Sequence, residues 1–262
     1  MEVLKQIERI VSWLNRYKER TNCKGVVLGL SGGKDSTVVA MLAKKVWGDN
    51  VMALLMPQGE QKDIGDSLEI AKSLNLNYRI VNIETIVNAL KHVVELKLET
   101  DENGERDYYK NCPPITEKAR TNIPPRIRMT VLYAVAQSMG YRVIGTGNLS
   151  ESYIGWTTKW GDSACDFNPI AHLTCTEVVE LGKHLAKEYG LDCKFVTKTP
   201  SDGLCGKTDE ESFGFSYATL DDWIRNPMWN GIDYYVASKI EDMNEKSEHK
   251  RTMPLTVLDN IL

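Results

Sequence analysis

The chain has 262 residues, 42% hydrophobic and 26% charged, so it can bury a core without staples. A formal net charge of −4 argues against a broad basic nucleic-acid surface. No apolar stretch approaches the roughly 20 residues that span a bilayer, so no membrane partner is expected. Six scattered cysteines (Cys23, Cys112, Cys165, Cys175, Cys193, Cys205) include no C-x-x-C pair. They read as free thiols of a cytoplasmic protein, with neither a disulfide scaffold nor a structural zinc site. The start, MEVLKQIERI, has no apolar leader segment, so no secretory signal is expected.

Residues 2–20 carry Val3, Leu4, Ile7, Ile10, Val11, Leu14 and Tyr17 at helical spacing, which predicts an amphipathic helix. Gly25 to Leu30 is a short apolar run that reads as a strand buried on both faces. Ser31-Gly-Gly-Lys-Asp-Ser36 interrupts it, and helical spacing resumes from Thr37 to Trp47. Val51 to Leu55 reads as a second strand, Gln61 to Leu74 as a helix, Tyr78 to Val81 as a third strand and Ile83 to Leu98 as a helix. Glu99 to Pro114 breaks the pattern and reads as a mobile loop, acidic over 99–111. Pro124-Pro125 divides a short helix from a longer one over Arg126 to Met139. Tyr141 to Gly145 is a fourth strand, and residues 146–172 look irregular. Thr174-x-x-Glu177 is a capping box that opens a helix to about Tyr189. Cys193 to Val196 reads as a fifth strand, residues 198–216 as loop, and two short helices follow near Asp221 and Tyr234.

Strand–helix alternation over five short strands predicts an α/β fold: a doubly wound, mostly parallel sheet with helices on both faces. A single domain is expected, divided into an N-terminal helix (1–20), an α/β core (25–197) and a C-terminal loop and helices (198–262) that close the site.

The loop Ser31 to Ser36 sits between a buried strand and a helix start. Small residues let backbone N–H groups approach a ligand, and the helix N-terminus adds positive potential. The combination suits phosphate. Both G-x-x-x-x-G-K-[ST] and G-x-G-x-x-G are absent. A lone Gly-Gly reads more often as a tight turn, here with Ser31 as cap. The end of a first strand is nevertheless where open α/β sheets bind ligands.

The loop resembles the SGG-x-DS signature of the PP-loop, or N-type, ATP pyrophosphatases. Further stretches resemble the NAD synthetases within that superfamily. These are Asn122-Ile-Pro-Pro-Arg-Ile-Arg-Met129, Gly145-Thr-Gly-Asn-Leu-Ser-Glu151, Gly155-Trp-Thr-Thr-Lys-Trp-Gly-Asp162, Asp166-Phe-Asn-Pro-Ile170, Asp209-Glu210 with Tyr217 and Asp221-Asp222, and Glu248-His-Lys-Arg251. No glutaminase-like domain accompanies them, so the resemblance is to the shorter, ammonia-dependent form.

The resemblance implies two steps. The nicotinate carboxylate of deamido-NAD attacks the α-phosphate of ATP and releases pyrophosphate. Ammonia then attacks the acyl-adenylate and releases AMP. An acyl-adenylate must be kept from water, and a nearby carboxylate helps ammonia arrive deprotonated. Carried over by position, Gly29, Leu30, Ser31, Gly32, Gly33, Lys34, Asp35 and Ser36 would line the ATP phosphates. Thr146 and Ser201 would also contact ATP. Asp35 and Glu151 would hold Mg2+, for which carboxylate oxygens are the expected hard ligands. Arg126, Lys159, Asp166, His249 and Lys250 would contact deamido-NAD, with Asp35 and Asp166 closest to the chemistry. A homodimer is implied, with sites near its interface.

Each residue also has a plainer role open to it. Asp35 serves equally as a helix-start carboxylate, Glu151 as a solvated side chain and Asp166 as an Asx-turn residue. His249-Lys250 lies in a charged run of the kind that usually faces solvent. Trp156 and Trp160 suit either ring stacking or core packing. One departure stands out. Where the resembled family commonly has a phosphate-contacting lysine, in L-[TN]-K, this chain reads Leu173-Thr-Cys175. Lys198 and Lys207 are the nearest replacements in sequence. Two alternatives therefore stay open. One is another PP-loop ligase or tRNA-thiolating enzyme, and the other is a nucleotide-binding sensor without catalysis.

Overall fold

The computed structural model describes residues 2–60, 64–95, 115–198, 208–226, 231–254 and 256. The acidic loop 99–111, Cys112, Ser201, Cys205 and Lys207 lie outside these residues. The strands β1 (Val26–Gly29), β2 (Val51–Leu55), β3 (Asn77–Ile80) and β4 (Arg142–Val143) form one sheet in the order β3-β2-β1-β4. Every neighbouring pair is parallel, and a parallel bridge joins Ile144 to Phe167 beyond β4.

The helices follow in chain order. The first are α1 (Val3–Thr21), α2 (Lys34–Trp47), α3 (Ile64–Ser73) and α4 (Glu84–Glu95). Next come α5 (Glu117–Thr121), α6 (Ile123–Met139), α7 (Leu149–Tyr153) and α8 (Cys175–Tyr189). The last are α9 (Lys194–Thr197), α10 (Asp209–Phe213), α11 (Tyr217–Arg225) and α12 (Tyr234–Lys246). A 3-10 turn, Glu248–Lys250, closes the series.

Strand side chains alternate between two helical layers, as a period of two requires. Val26, Leu28, Val51, Ala53 and Leu55 join α1, α2, α3 and α8 in the larger core. Val27, Leu54 and Val143 join α4 and α6 on the opposite face. Ile154, Cys175, Phe213, Tyr217, Leu220 and Ile240 form a third cluster that docks the C-terminal helices at one end of the sheet.

Several expectations are corrected. The sheet has four strands among the described residues, because Cys193 to Val196 is not a strand. Asp192 Oδ1 accepts the Lys194 N–H at 2.8 Å, and Thr197 N–H bonds Cys193 O, so the segment winds into α9. Phe195 and Val196 are both buried. Two adjacent apolar residues fit one helical turn as well as a strand. Pro124 and Pro125 do not divide two helices but occupy the first turn of α6, where no N–H is needed. Likewise α2 begins at Lys34, so the loop's own Lys34, Asp35 and Ser36 build its first turn. Residues 146–172 include α7, and 198–216 include α10.

One buried carboxylate ties the third cluster to the sheet. Asp221 of α11 accepts Ser150 Oγ–H at 2.5 Å and the Thr176 N–H at 2.8 Å. Ser150 Oγ in turn accepts the Cys175 N–H at 2.9 Å. Asp221 thus holds the starts of α7 and α8 together. Asp221→Ala leaves a hydroxyl and an amide buried without their acceptor, a cost of roughly 2–4 kcal/mol. Urea unfolding should show a lower midpoint for this variant and a smaller loss for Asp221→Asn. An unchanged midpoint for the alanine variant would remove Asp221 from this role.

Candidate active site

The loop after β1 is held by its own serines. Ser31 Oγ accepts the Gly33 N–H at 3.2 Å and lies 3.0 Å from Ser36 Oγ. Ser36 Oγ and Thr37 Oγ1 both donate to Gly33 O, at 3.1 and 2.7 Å. Gly32 has φ +82°, and a Cβ there would sit 3.1 Å from Ser67 Oγ and 3.2 Å from Asp66 Cβ. Only glycine takes that backbone without strain this close to α3. The turn leaves the N-terminus of α2 pointing out of the sheet's C-terminal end, as anion binding requires.

Asp35 and Glu151, far apart in sequence, converge there on one ammonium. Lys34 Nζ lies 2.7 Å from Asp35 Oδ2 and 3.7 Å from Glu151 Oε1. It also stands 5.5 Å from the centre of the Tyr217 ring. Lys34 is only 4% exposed. Burial opposes its charge, but the two carboxylates outweigh that and hold the ammonium protonated well above the ordinary lysine range. Burial also raises the Glu151 pKa, Asp35 adds to this, and Lys34 opposes it. Asn148 sets the geometry. Its Nδ2 donates to Asp35 Oδ1 at 3.0 Å, and its Oδ1 caps α7 by accepting the Glu151 N–H at 3.0 Å. The carboxylates are therefore positioned by a buried amide and a helix cap.

A cavity of about 1240 Å³ opens beside the loop. Gly29, Leu30, Ser31 and Thr146 line it from the sheet side, and His249 and Lys250 from the tail. Arg128 lines it as well, with its Nε donating to Met56 O at 3.0 Å. The tail is locked onto the segment after α7. Lys250 Nζ donates to Gly155 O at 2.6 Å and Thr157 O at 2.7 Å. Lys159 Nζ donates to His249 O at 2.5 Å, and Arg126 Nε to Lys159 O at 3.3 Å. A Cβ at Gly155 would fall 2.1 Å from Ser247 Cβ, so this contact needs glycine. Burial lowers the Lys250 pKa, and Lys118 and Arg126 lower it further. Those effects mark a concentration of positive charge at the cavity rim.

The structure brings together Lys34, Asp35, Ser36 and Glu151 at the loop; Arg126, Lys159 and His249 are linked by hydrogen bonds beside the tail, where His249 and Lys250 line the cavity and Arg126 and Lys159 do not. Asp166 does not join either group. Its carboxylate accepts the Val143 N–H at 2.7 Å, and it does not line the cavity. Lys198 pairs with Asp66 at 3.1 Å, and Asp66 lies against Gly32 of the loop. Trp156 packs in the third cluster, meeting Phe213 edge-on at 5.6 Å, and also lines the cavity. Trp160 stays exposed, with Lys159 Nζ 5.5 Å from its ring centre. Asn148, Ser150 and Arg128 were not singled out by sequence. Asn148-x-x-Glu151 is a capping pattern that pointed to the first. Arg128 lies two residues from Arg126, and spacing alone could not say which would face the cavity.

A family model described as NAD synthase matches residues 6–254. An NH(3)-dependent NAD(+) synthetase of Pyrococcus horikoshii is 38% identical over 96% of this chain and 93% of its own length. The solved NMN synthetase of Francisella tularensis has a TM-score of 0.84 at 30% identity, covering 99% of this chain and all of that one. The NH3-dependent NAD synthetase of Campylobacter jejuni has a TM-score of 0.73 at 30% identity, covering 98% and 99%. With a family match over nearly its whole length and relatives that share its fold from end to end, the chain belongs to the NAD synthase family.

Proposed function

We propose that the chain amidates deamido-NAD to NAD with ammonia and ATP, through an acyl-adenylate, releasing pyrophosphate and AMP. One observation carries the reading. A phosphate-type loop and two converging carboxylates stand beside a large cavity with a cationic rim. In this reading the N–H groups of the 31–36 loop hold the ATP phosphates, with Thr146 contacting ATP from the cavity wall. Arg126, Lys159, His249 and Lys250 draw in the anionic dinucleotide, and arginine suits phosphate bidentately. The tail covers the segment after α7 and limits water near the adenylate. Asp166, held on β4, is given no step.

The residues fit a magnesium ion. Asp35 and Glu151 present hard oxygens on the two sides of the Lys34 ammonium, and among the described residues buried Asp209 Oδ1 has no hydrogen-bond partner. Asp35 and Glu151 would hold the ion, whose chemistry is to neutralise charge on the leaving pyrophosphate.

The likeness to an NMN synthetase supports a second reading, in which the acid amidated is the mononucleotide. Purified protein with ATP, magnesium and ammonium decides between them. Deamido-NAD should yield NAD, AMP and pyrophosphate, faster than nicotinate mononucleotide yields its amide. The reverse preference installs the second reading, and no amide from either acid defeats both. Glutamine should not replace ammonium, and the rate should rise with pH as ammonium loses its proton. Asp35→Asn should keep the fold and lose roughly a hundredfold or more in turnover. Normal turnover with normal magnesium dependence would clear Asp35 of the role.

A homodimer is part of the proposal. Ile86, Leu90, Val93 and Val94 on α4 are 45%, 37%, 62% and 51% exposed, next to exposed Tyr78 and Ile80 on the edge strand β3. Such an apolar face suits a second copy. The described residues contain no helix long and apolar enough to cross a membrane. Cys23, Cys165, Cys175 and Cys193 are free thiols, which supports a reducing, cytoplasmic setting. Leu90→Glu with Val93→Glu should halve the mass seen by light scattering. A wild type that is already monomeric at working concentration would end the dimer reading.

A further inference from the structure

The closing motif Glu248-His-Lys-Arg251 holds one cation that the main cavity does not use. His249 and Lys250 line that cavity, and Arg251 does not. The Arg251 guanidinium turns instead to α7. Its Nη1 donates to Ser152 O at 3.1 Å and to Tyr153 O at 3.0 Å, the last two carbonyls of that helix. The same planar fork donates to Ser247 Oγ at 2.7 Å and to Asn244 O at 2.6 Å, which ties it to the end of α12. Asn244 Nδ2 adds a second donor to Tyr153 O at 2.7 Å. These carbonyls have no following helical turn to bond, and a cation beside them also meets the negative end of the helix dipole. With only five residues, α7 forms too few bonds of its own to hold its shape. Its first turn is fastened from the core side, by Asn148 to Asp35 and by Ser150 to Asp221. Its last turn is fastened from the tail, by Arg251 and Asn244. Glu151 lies between the two fastenings.

We propose that Arg251 is a positioning residue for Glu151: by gathering the last carbonyls of α7 it holds that helix at the angle that presents the Glu151 carboxylate to the loop. This rests on the proposed function only for Glu151 meeting a magnesium-bound phosphate there. Arg251 is exposed, and its bonds go to backbone carbonyls and one serine hydroxyl. It therefore acts through the helix and not through its own charge on the ligand. The two modes differ in one respect. A direct pull of the Arg251 charge survives the loss of the Glu151 carboxylate, whereas action through Glu151 does not.

The test is a double-mutant cycle, read by calorimetric titration of the full chain with magnesium pyrophosphate. It compares wild type, Arg251→Met, Glu151→Gln and the double variant. Arg251→Met should bind roughly threefold to thirtyfold more weakly than wild type, as for residues coupled in one network. In the Glu151→Gln background the same change should cost less than about twofold, because the group it positions is already gone. Amide hydrogen exchange should speed up at residues 149–154 in Arg251→Met and stay as in wild type at residues 26–29. Three results would each overturn the proposal: wild-type affinity in Arg251→Met, an equal loss in both backgrounds, or unchanged exchange at 149–154. An equal loss marks a charge acting directly on the ligand or a general loosening of the fold. Where Arg251→Met does not fold, Arg251→Gln, which keeps one donor, goes through the same cycle under the same criteria. Wild type that binds no magnesium pyrophosphate, or Glu151→Gln that binds it as wild type does, removes the metal role of Glu151 and the positioning role with it. A cycle that behaves as expected in a protein that forms no amide leaves Arg251 in its role and removes the proposed reaction.

Discussion

An ammonium and two carboxylates share a nearly dry space at the C-terminal end of the sheet, and the surrounding structure exists to keep them there. Either sign alone would be costly to bury, and the pair is tolerable only if the geometry is held. Chain segments far apart in sequence do the holding. The loop after β1 brings Lys34 and Asp35, and α7 brings Glu151. Asn148 spans the two by bonding Asp35 while capping α7. Ser150 and Asp221 then fasten α7 to the start of α8 and the middle of α11. A disturbance at Asp221 therefore reaches Glu151 through one short helix rather than through solvent.

The first half of the fold was legible because its signals are local. A valine-rich strand, a glycine break and a helical repeat are written in adjacent residues around Val26, Gly32 and Val38. The capping box at Thr174 and Glu177 is equally local, and it stands as expected. The errors came where local patterns carry two meanings. Phe195 and Val196 are adjacent and apolar, and their burial against α2 and α8, not their spacing, selects helix. Pro124 and Pro125 signal a break or a helix start, and which it is depends on whether the N–H groups they lack would have been used.

The site was half legible for a different reason. Motif order identified the residues, but their partners are set by packing between distant elements. Lys34 was read as one loop residue among eight. It turns inward to Glu151 and Tyr217, neither of which is near it in sequence. Asp166 shows the opposite case. It sits in a matching motif, yet the backbone amide of Val143 takes its carboxylate. The tail residues His249 and Lys250 lie in a charged run that reads as solvated. Gly155, by admitting Ser247, brings that run down onto the cavity.

The charge layout also separates two jobs by position. At the loop the cation is single, buried and matched by carboxylates, so a ligand arriving there exchanges one set of close partners for another. At the tail burial lowers the Lys250 pKa and nearby Lys118 and Arg126 lower it further, while Arg126 itself is exposed. Crowded, partly solvated cations attract an anion over several ångströms but fix it loosely, whereas a buried ion pair selects geometry at short range. The rim is thus the looser of the two charged regions, and the loop the more exacting in geometry. That division follows from burial, Lys34 being only 4% exposed.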